Sequence, residues 1–337
     1  MSELNMHNGF WLGVDVAKAT FDVAAAPVAA SPADWAKLPT AHFESNGSGL
    51  TAFEQWLKPL LSEGKCVGIC LESTGIYSHR FVKFISMLEL PECSMVNPAL
   101  PVAFRKSFGL RDKCDRVDSA VLALYGVVHT PKPNVKRSPE YERLRALWRL
   151  HEDYIEDVRR WKNRSDQILD CLEPTQINLT VTHLQECAQK VWKQIENWVQ
   201  QHESLRHDAQ LLCSIPSVGQ KTAFMVMAEY GNLRAWSRKQ VISYAGLYPK
   251  VYSSGTSVNR KPCLAKGGGQ RIRRGLFLPA CSATRYNPLL AQWRQVLLER
   301  GKARMAAIGA MMRKMLVLMR GVLVSETLFN LTKFKTA

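Results

Sequence analysis

The chain has 337 residues, 46% of them hydrophobic, and a formal net charge of +16, enough apolar material for more than one core. Its nine cysteines are scattered without a CxxC pair, which excludes a zinc knuckle or a disulfide framework and fits a reducing cytoplasm. The most membrane-like stretch, "MMRKMLVLMRGVLV", is too short and too charged to span a bilayer, and Asp15 interrupts the early apolar run, so neither a membrane span nor a signal peptide is expected.

In chain order, "FWLGVDVA" predicts a strand ending in Asp15, and "TFDVAAAPV" a second strand able to pair with it as a hairpin. "GLTAFEQWLKPLL" has helical spacing, and "KCVGICLES" reads as a buried strand ending in Glu72. "HRFVKFISMLEL" is again helical, and "CSMVNP" is a short strand closed by Pro98. "GLRDKCDRVDSAVLALY" then predicts a helix with Asp115 and Asp118 on one face near its start. The expected product is an α/β domain with a mixed sheet over residues 1–130.

The proline-rich, basic segment 131–140 predicts a linker. Beyond it, apolar or semi-polar positions 144, 147, 151, 154, 158, 161, 165, 168 and 172 alternate by three and four, the pattern of a long helix. It is expected to pair with 183–212 as an antiparallel coiled coil, a 141–210 arm; a long helix packed within one subunit is the competing form. In 211–337, "LLCSIPSVGQKTAFMVMAEYG" reads as a helix-hairpin-helix whose turn, with Gly219 and Lys221, offers backbone N–H groups to a phosphate. Helices follow near 238–246, 269–285, 289–299 and 303–325.

Charge is divided unevenly. Residues 1–130 hold 11 Lys and Arg against 13 Asp and Glu, whereas 231–320 hold 18 basic residues and one acid, Glu299. A run of one sign this long points to a polyanion, and nucleic acid is the expected partner rather than a membrane. Lys250, Arg260, Lys261, Lys266, Arg271, Arg273 and Arg274 are its candidate contacts.

Asp15 and Glu72 end strands while Asp115 and Asp118 begin a helix, so the four can converge on one point. Gathered carboxylates repel unless a cation lies between them, and Mg²⁺ is the hard, oxygen-seeking choice. Two such ions, about 3.5–4 Å apart, clamp a scissile phosphate in nucleases. Spacing alone leaves helix capping open, with Asp112 as a candidate cap. "LYPKVYSSGTSVNRKPCLAKGGGQRIRR" sets hydroxyls beside glycine and cations, as a nucleophile toward phosphate requires, although Ser-Gly also makes ordinary turns.

"GVDVAKATFDV", "CLESTGIY", "VNPAL", "GLRDKCDRVDSAVLA", "SIPSVGQKTA", "AGLYPKVYSSGTSV" and "GAMMRKML" together resemble, in this order, the DEDD transposases of insertion-sequence family one-ten, a family that includes the Piv-type DNA invertases. The resemblance runs from Gly13 to Leu316. It implies a RuvC-like, RNase H-type N-terminal domain whose D-E-D-D set is Asp15, Glu72, Asp115 and Asp118. It also implies a coiled-coil arm and a mostly helical C-terminal transposase domain with a nucleophilic serine. That serine falls on Ser254, with Ser253 and then Ser257 as the lesser candidates. Where the family commonly has "PGIG" at the hairpin turn, this chain has "PSVG", with Ser217 in a glycine's place.

The implied activity is excision and insertion of a mobile element, guided by a structured non-coding bridge RNA that pairs with element end and target DNA. A homo-oligomer, dimer or tetramer, in the bacterial cytoplasm at the nucleoid is implied as well. The competing activities are site-specific DNA inversion by the same chemistry and Holliday-junction resolution by Mg²⁺-activated water. A non-enzymatic nucleic-acid scaffold would leave the strand-end acids Asp15 and Glu72 unexplained.

Overall fold

The computed structural model describes residues 5–73, 75–109, 115–134, 137–165, 174–254, 258–265 and 267–331; side chains at 76, 79, 115, 174, 251–254 and 258–262 lie outside the described set. The chain divides into two units, Met1–Val135 and Lys136–Ala337.

The first unit is mixed α/β. Its elements are β1 (Phe10–Val16), β2 (Thr20–Pro27), β3 (Thr40–Glu44), α1 (Gly47–Glu63), β4 (Cys66–Glu72), α2 (Ile76–Ile85), β5 (Cys93–Val96), α3 (Ala99–Ser107) and α4 (Asp115–His129). The five strands lie in the order β3-β2-β1-β4-β5, antiparallel from β3 to β1 and parallel from β1 to β5. β1 and β4 are near-continuous apolar runs because both of their faces are covered. On one face Leu12, Val14, Ile69 and Leu71 meet Phe53 and Leu57 of α1 and Phe81 and Ile85 of α2. Phe21 sits within 5.1–5.8 Å, centroid to centroid, of Phe43, Phe53 and Phe81, and such pairs contribute about 0.5–1.5 kcal/mol each beyond their buried area.

On the other face α4 lies against β1, and small residues set how close it comes. A Cβ added at Gly13 would fall 2.1 Å from both the Ser119 carbonyl oxygen and the Ala123 amide nitrogen. Two residues back, the Trp11 ring fills the space over Gly68 and Gly126, within 2.4–2.5 Å of where their Cβ atoms would stand. Ala24, Ala26 and Cys70 complete this seam. Gly13→Ala is therefore expected to push the helix off the sheet and lower stability by about 1–3 kcal/mol, the usual cost of overpacking. A thermal melt beside wild type checks it: an unchanged midpoint would show that the contact yields freely.

The second unit is mostly helical: α5 (Pro139–Ser165), α6 (Pro174–Gln201), α7 (Glu203–Cys213), α8 (Gln220–Tyr230), α9 (Arg238–Ala245), the hairpin β6 (Pro249–Ser254) and β7 (Val258–Leu264), then α10 (Gln270–Tyr286), α11 (Pro288–Glu299) and α12 (Arg304–Ser325). α5 and α6 run antiparallel: Trp198 Nε1 donates to the Glu140 carbonyl at one end, and Val158 meets Ile177 and Val181 at the other. That far end has a small core of its own. Leu144, Trp148, Val191 and Ile195 join the core built from α7, α8, α10 and α12. The membrane-like stretch of the sequence is the interior of this unit, with Met311, Met315, Leu316, Met319, Val322 and Leu323 all buried. Among the described residues no helix is long and apolar enough to cross a membrane.

Candidate functional site

Strand register aligns the candidate carboxylates. Val14 of β1 is paired with Leu71 of the parallel strand β4, so Asp15 and Glu72 occupy the next position in register, one strand spacing (about 4.8 Å) apart. Alternation places Asp15 on the face of Trp11 and Gly13, and Glu72 on the face of Gly68 and Cys70. That is the α4 face. α4 runs antiparallel to β1, because Trp11 meets Gly126 while Gly13 meets Ser119 and Ala123. Two further residues along β1 reach Asp15, about 7 Å on, and one turn back along α4, about 5.4 Å, reaches its first residue, Asp115. Strand ends and helix start therefore come to one edge.

Asp118 is ion-paired within this unit: Arg105 Nη1 on α3 donates to its Oδ1 at 2.9 Å, and the two side chains are 13% and 27% exposed. Asp112 and the side chain of Asp115 lie outside the described set. Among the described side chains, to which the Asp115 carboxylate does not belong, no three His, Cys, Asp or Glu group as a metal site. Sequence reasoning missed two neighbours. Asp22 stands directly opposite Asp15 across the β1–β2 pair, on the same face, and accepts from His42 Nδ1 of β3 at 3.0 Å. The signal was present in "TFDV", whose Asp lies in the strand expected to pair with the one ending in Asp15.

Ser254 is the last residue of β6, opposite Val258, and Ser253 is opposite Asn259; Ser257 lies outside the described residues. Lys250 stands opposite Cys263 and Arg260 opposite Tyr252, with Lys261 next along β7. The hairpin thus brings Lys250, Arg260 and Lys261 onto the same two strands as Ser254. Lys266 lies outside the described residues. Gly219 caps α8 with open space before it, and Lys221 is exposed in its first turn. Ser217 holds φ +78°, a left-handed conformation that favours glycine, and its Oγ has no hydrogen-bond partner. Ser217 thus holds a backbone conformation that glycine adopts without strain.

Much of the counted positive charge is engaged inside the chain. Arg271 Nη2 donates to Asp153 at 3.2 Å, and Arg274 binds Glu152 at 2.6 Å and Glu156 at 3.3 Å, all on α5. Arg273 Nη1 donates to the carbonyls of Ala245 and Gly268 at 2.9 and 2.7 Å. Arg234 binds buried Asp208 at 2.7 Å, and Arg320 Nε donates to the Trp236 carbonyl. The Arg271 and Arg274 pairs are partly exposed, and such pairs contribute only about 0–1 kcal/mol, so phosphates can displace these carboxylates. Arg273 is held by backbone and serves the loop.

Comparison with known proteins places the chain among transposases. Residues 12–174 match the transposase model of the DEDD type from the IS110 group, and residues 209–294 match the transposase model of the IS116/IS110/IS902 family. The pilin gene-inverting protein of Moraxella bovis is 27% identical over 323 residues, 95% of this chain and 97% of that one. Its counterpart from Moraxella lacunata is 26% identical over the same shares. A 43.6 kDa IS110 protein of Streptomyces coelicolor is 27% identical over 121 residues, 36% of this chain and 30% of that one. With strand-end and helix-start acids in the first match and the hairpin serine in the second, this chain belongs to the IS110 family of transposases, enzymes that cleave and rejoin DNA.

Proposed function

We propose that the chain is an RNA-guided transposase that excises and inserts a mobile element by serine attack on DNA phosphodiesters. The observation that carries this reading is the alignment of Asp15 and Glu72 at one sheet edge, facing the helix start that bears Asp115 and Asp118. In this reading the first unit is RuvC-like, α5 and α6 form a coiled-coil arm, and the turn before α8 is a helix-hairpin-helix. The second unit binds nucleic acid and supplies Ser254.

The residues fit a divalent cation. They are hard oxygen donors on neighbouring elements, a set that suits Mg²⁺, and the four acids would hold one or two ions. Bound there, Mg²⁺ would polarise a phosphoryl oxygen and offset the charge developing on it. Arg105 donates to Asp118 Oδ1 and would hold that carboxylate in place. The Ser254 hydroxyl attacks the scissile phosphorus, forming a serine–phosphate ester at the 5′ end as the bond to the 3′ oxygen breaks. That oxygen leaves as a hydroxyl, taking up a proton equivalent to the one the serine lost. The 3′-hydroxyl of a second strand then attacks the phosphoserine, and Ser254 regains its proton. One ester is exchanged for another, so no ATP is needed.

The guide reads sequence by base pairing, and the protein, as a homo-oligomer in the bacterial cytoplasm, grips backbones and shape. Binding of structured RNA and duplex DNA is expected to weaken steeply with salt, by a slope of about −0.9 in log K per phosphate neutralised on B-DNA. A flat salt dependence in anisotropy titrations would contradict an electrostatic grip. The function itself is tested by mixing the protein with donor DNA, target DNA and transcripts of the non-coding DNA beside the gene. Strand exchange only with transcript supports guidance; exchange without any RNA refutes it. The long match to pilin gene-inverting proteins favours a second reading, inversion between fixed sites. A plasmid with inverted sites distinguishes the two, since only an invertase flips the segment without joining new DNA.

A further inference from the structure

One group of side chains lies outside the basic segment found by counting charge. Arg145 and Arg149 are one turn apart on α5, so two like charges share a face and repel. Arg137 joins them from just before the helix: its Nη2 donates to the Glu229 carbonyl at 2.6 Å, and its stem lies against Gly231. Arg149 Nη2 is 3.7 Å from Glu229 Oε2, and Glu229 itself is 4% exposed. The neighbouring guanidiniums of Arg137 and Arg149 act on Arg145, although burial is the larger cause that brings its pKa down to about 10. Three guanidiniums thus gather at Glu229: Arg149 at its carboxylate, Arg137 at its backbone carbonyl, and Arg145 within the field of both arginines.

The surplus is not resolved by hydrogen bonding. The Nε atoms of Arg145 and Arg149 and the Oε1 atom of Glu229 are buried without a partner. The site is built on rigid elements, since Leu144, Trp148 and Tyr230 around it belong to the core of the unit. It is also open, because the Arg149 side chain is 37% exposed. Buried donors, uncompensated positive charge and access from solvent together specify an anion with several acceptor oxygens. A phosphodiester offers two non-bridging oxygens and one negative charge, which planar guanidiniums bind in pairs.

We propose that Arg137, Arg145 and Arg149, arranged around Glu229, form a binding notch for one phosphodiester of a nucleic-acid backbone. This rests on the reading of the chain as an enzyme acting on nucleic acid, and it extends the interface to the root of α5. Glu229 has a defined part: its carboxylate faces Arg149 when no phosphate is bound, its backbone carbonyl holds Arg137, and its charge opposes phosphate binding.

The test uses the full-length protein, labelled duplex DNA, a labelled structured RNA and anisotropy titrations from 50 to 200 mM salt. Arg149→Gln, at a position open to solvent, is expected to weaken binding about 3–10-fold and to reduce the salt slope by about one. Arg145→Gln with Arg149→Gln should lower both further. Glu229→Gln should act in the opposite direction, tightening binding, which a merely structural role would not produce. Thermal melts accompany each variant, and Arg149→Gln decides the matter where the double variant does not fold. Loss confined to RNA, or to DNA, supports the notch and identifies whose backbone it holds. Folded Arg149→Gln and Glu229→Gln proteins with wild-type affinity and slope overturn the notch while leaving the functional reading intact. A wild-type protein that binds neither nucleic acid overturns that reading instead.

Discussion

Asp15→Asn protein is expected to bind duplex DNA and RNA as wild type does and to cleave DNA at least about 10³-fold more slowly. A bound divalent ion stabilises developing phosphoryl charge by several kcal/mol, and each 1.36 kcal/mol is a factor of ten in rate. Asparagine keeps the shape of the side chain and removes the charge that would hold the ion. The position tolerates the change because Asp15 is only half-buried at a strand end, while the core residues Val14 and Val16 beside it are untouched. Asp118→Asn should behave alike, with added loss of the ion pair to Arg105. EDTA should reproduce both defects in the wild-type enzyme. The measurement is single-turnover cleavage of a labelled substrate beside an anisotropy titration. Full-rate cleavage by Asp15→Asn would remove this edge from the chemistry; parallel loss of binding and cleavage would make the residue structural.

Ser254→Ala is expected to eliminate strand exchange and the covalent protein–DNA adduct together. A serine hydroxyl is a weak nucleophile at neutral pH, so attack depends on stabilising the phosphate it approaches. In the proposed mechanism Lys250 and Arg260, which lie on the same two strands, would contribute to that stabilisation. A nicked suicide substrate traps the intermediate because the strand needed for resealing is lost; denaturation, digestion and mass spectrometry then map the adduct. A phosphopeptide bearing Ser254, absent from Ser254→Ala, is the expected result. An adduct on Ser253, or strand exchange persisting in Ser254→Ala, would move the nucleophile elsewhere. Hydrolysis without any adduct would favour a water-using resolvase.

Much of the element order follows from local pattern. The alternating and continuous apolar runs of β1, β2, β4 and β5 are visible because each strand is covered by helices or neighbours. α5 and α12 are visible as long apolar periodicities, and α8 as a mostly apolar run buried without a break from Thr222 to Tyr230. β3 is not, because "TAHFE" has one buried residue, Phe43, and becomes a strand by pairing at the sheet edge. α3 is concealed by Pro98 and Pro101, and the β6–β7 hairpin by its serines, threonine and glycine. α2 ends at Ile85, short of the helical pattern that continues to Leu90.

Local sequence carries the kinds of groups available: acids at two strand ends and a helix start, a Ser-Gly turn among cations, and an excess of arginine after residue 130. Those are properties of composition and local spacing, which tertiary contacts do not alter. Which acids share a face was decided by the parallel register of β1 with β4 and by the missing side chain at Gly13, which lets α4 approach. The structure also brought in Asp22, His42 and Arg105, whose partners lie 13 or more positions away. It redistributed the charge as well. Arg234, Arg271, Arg273, Arg274 and Arg320 are engaged within the chain, while Arg145 and Arg149 crowd one face of α5, with Glu229 near Arg149. Counting residues adds charges as though each were free, whereas folding pairs some and crowds others. Only tertiary structure shows which positive charges remain for a phosphate.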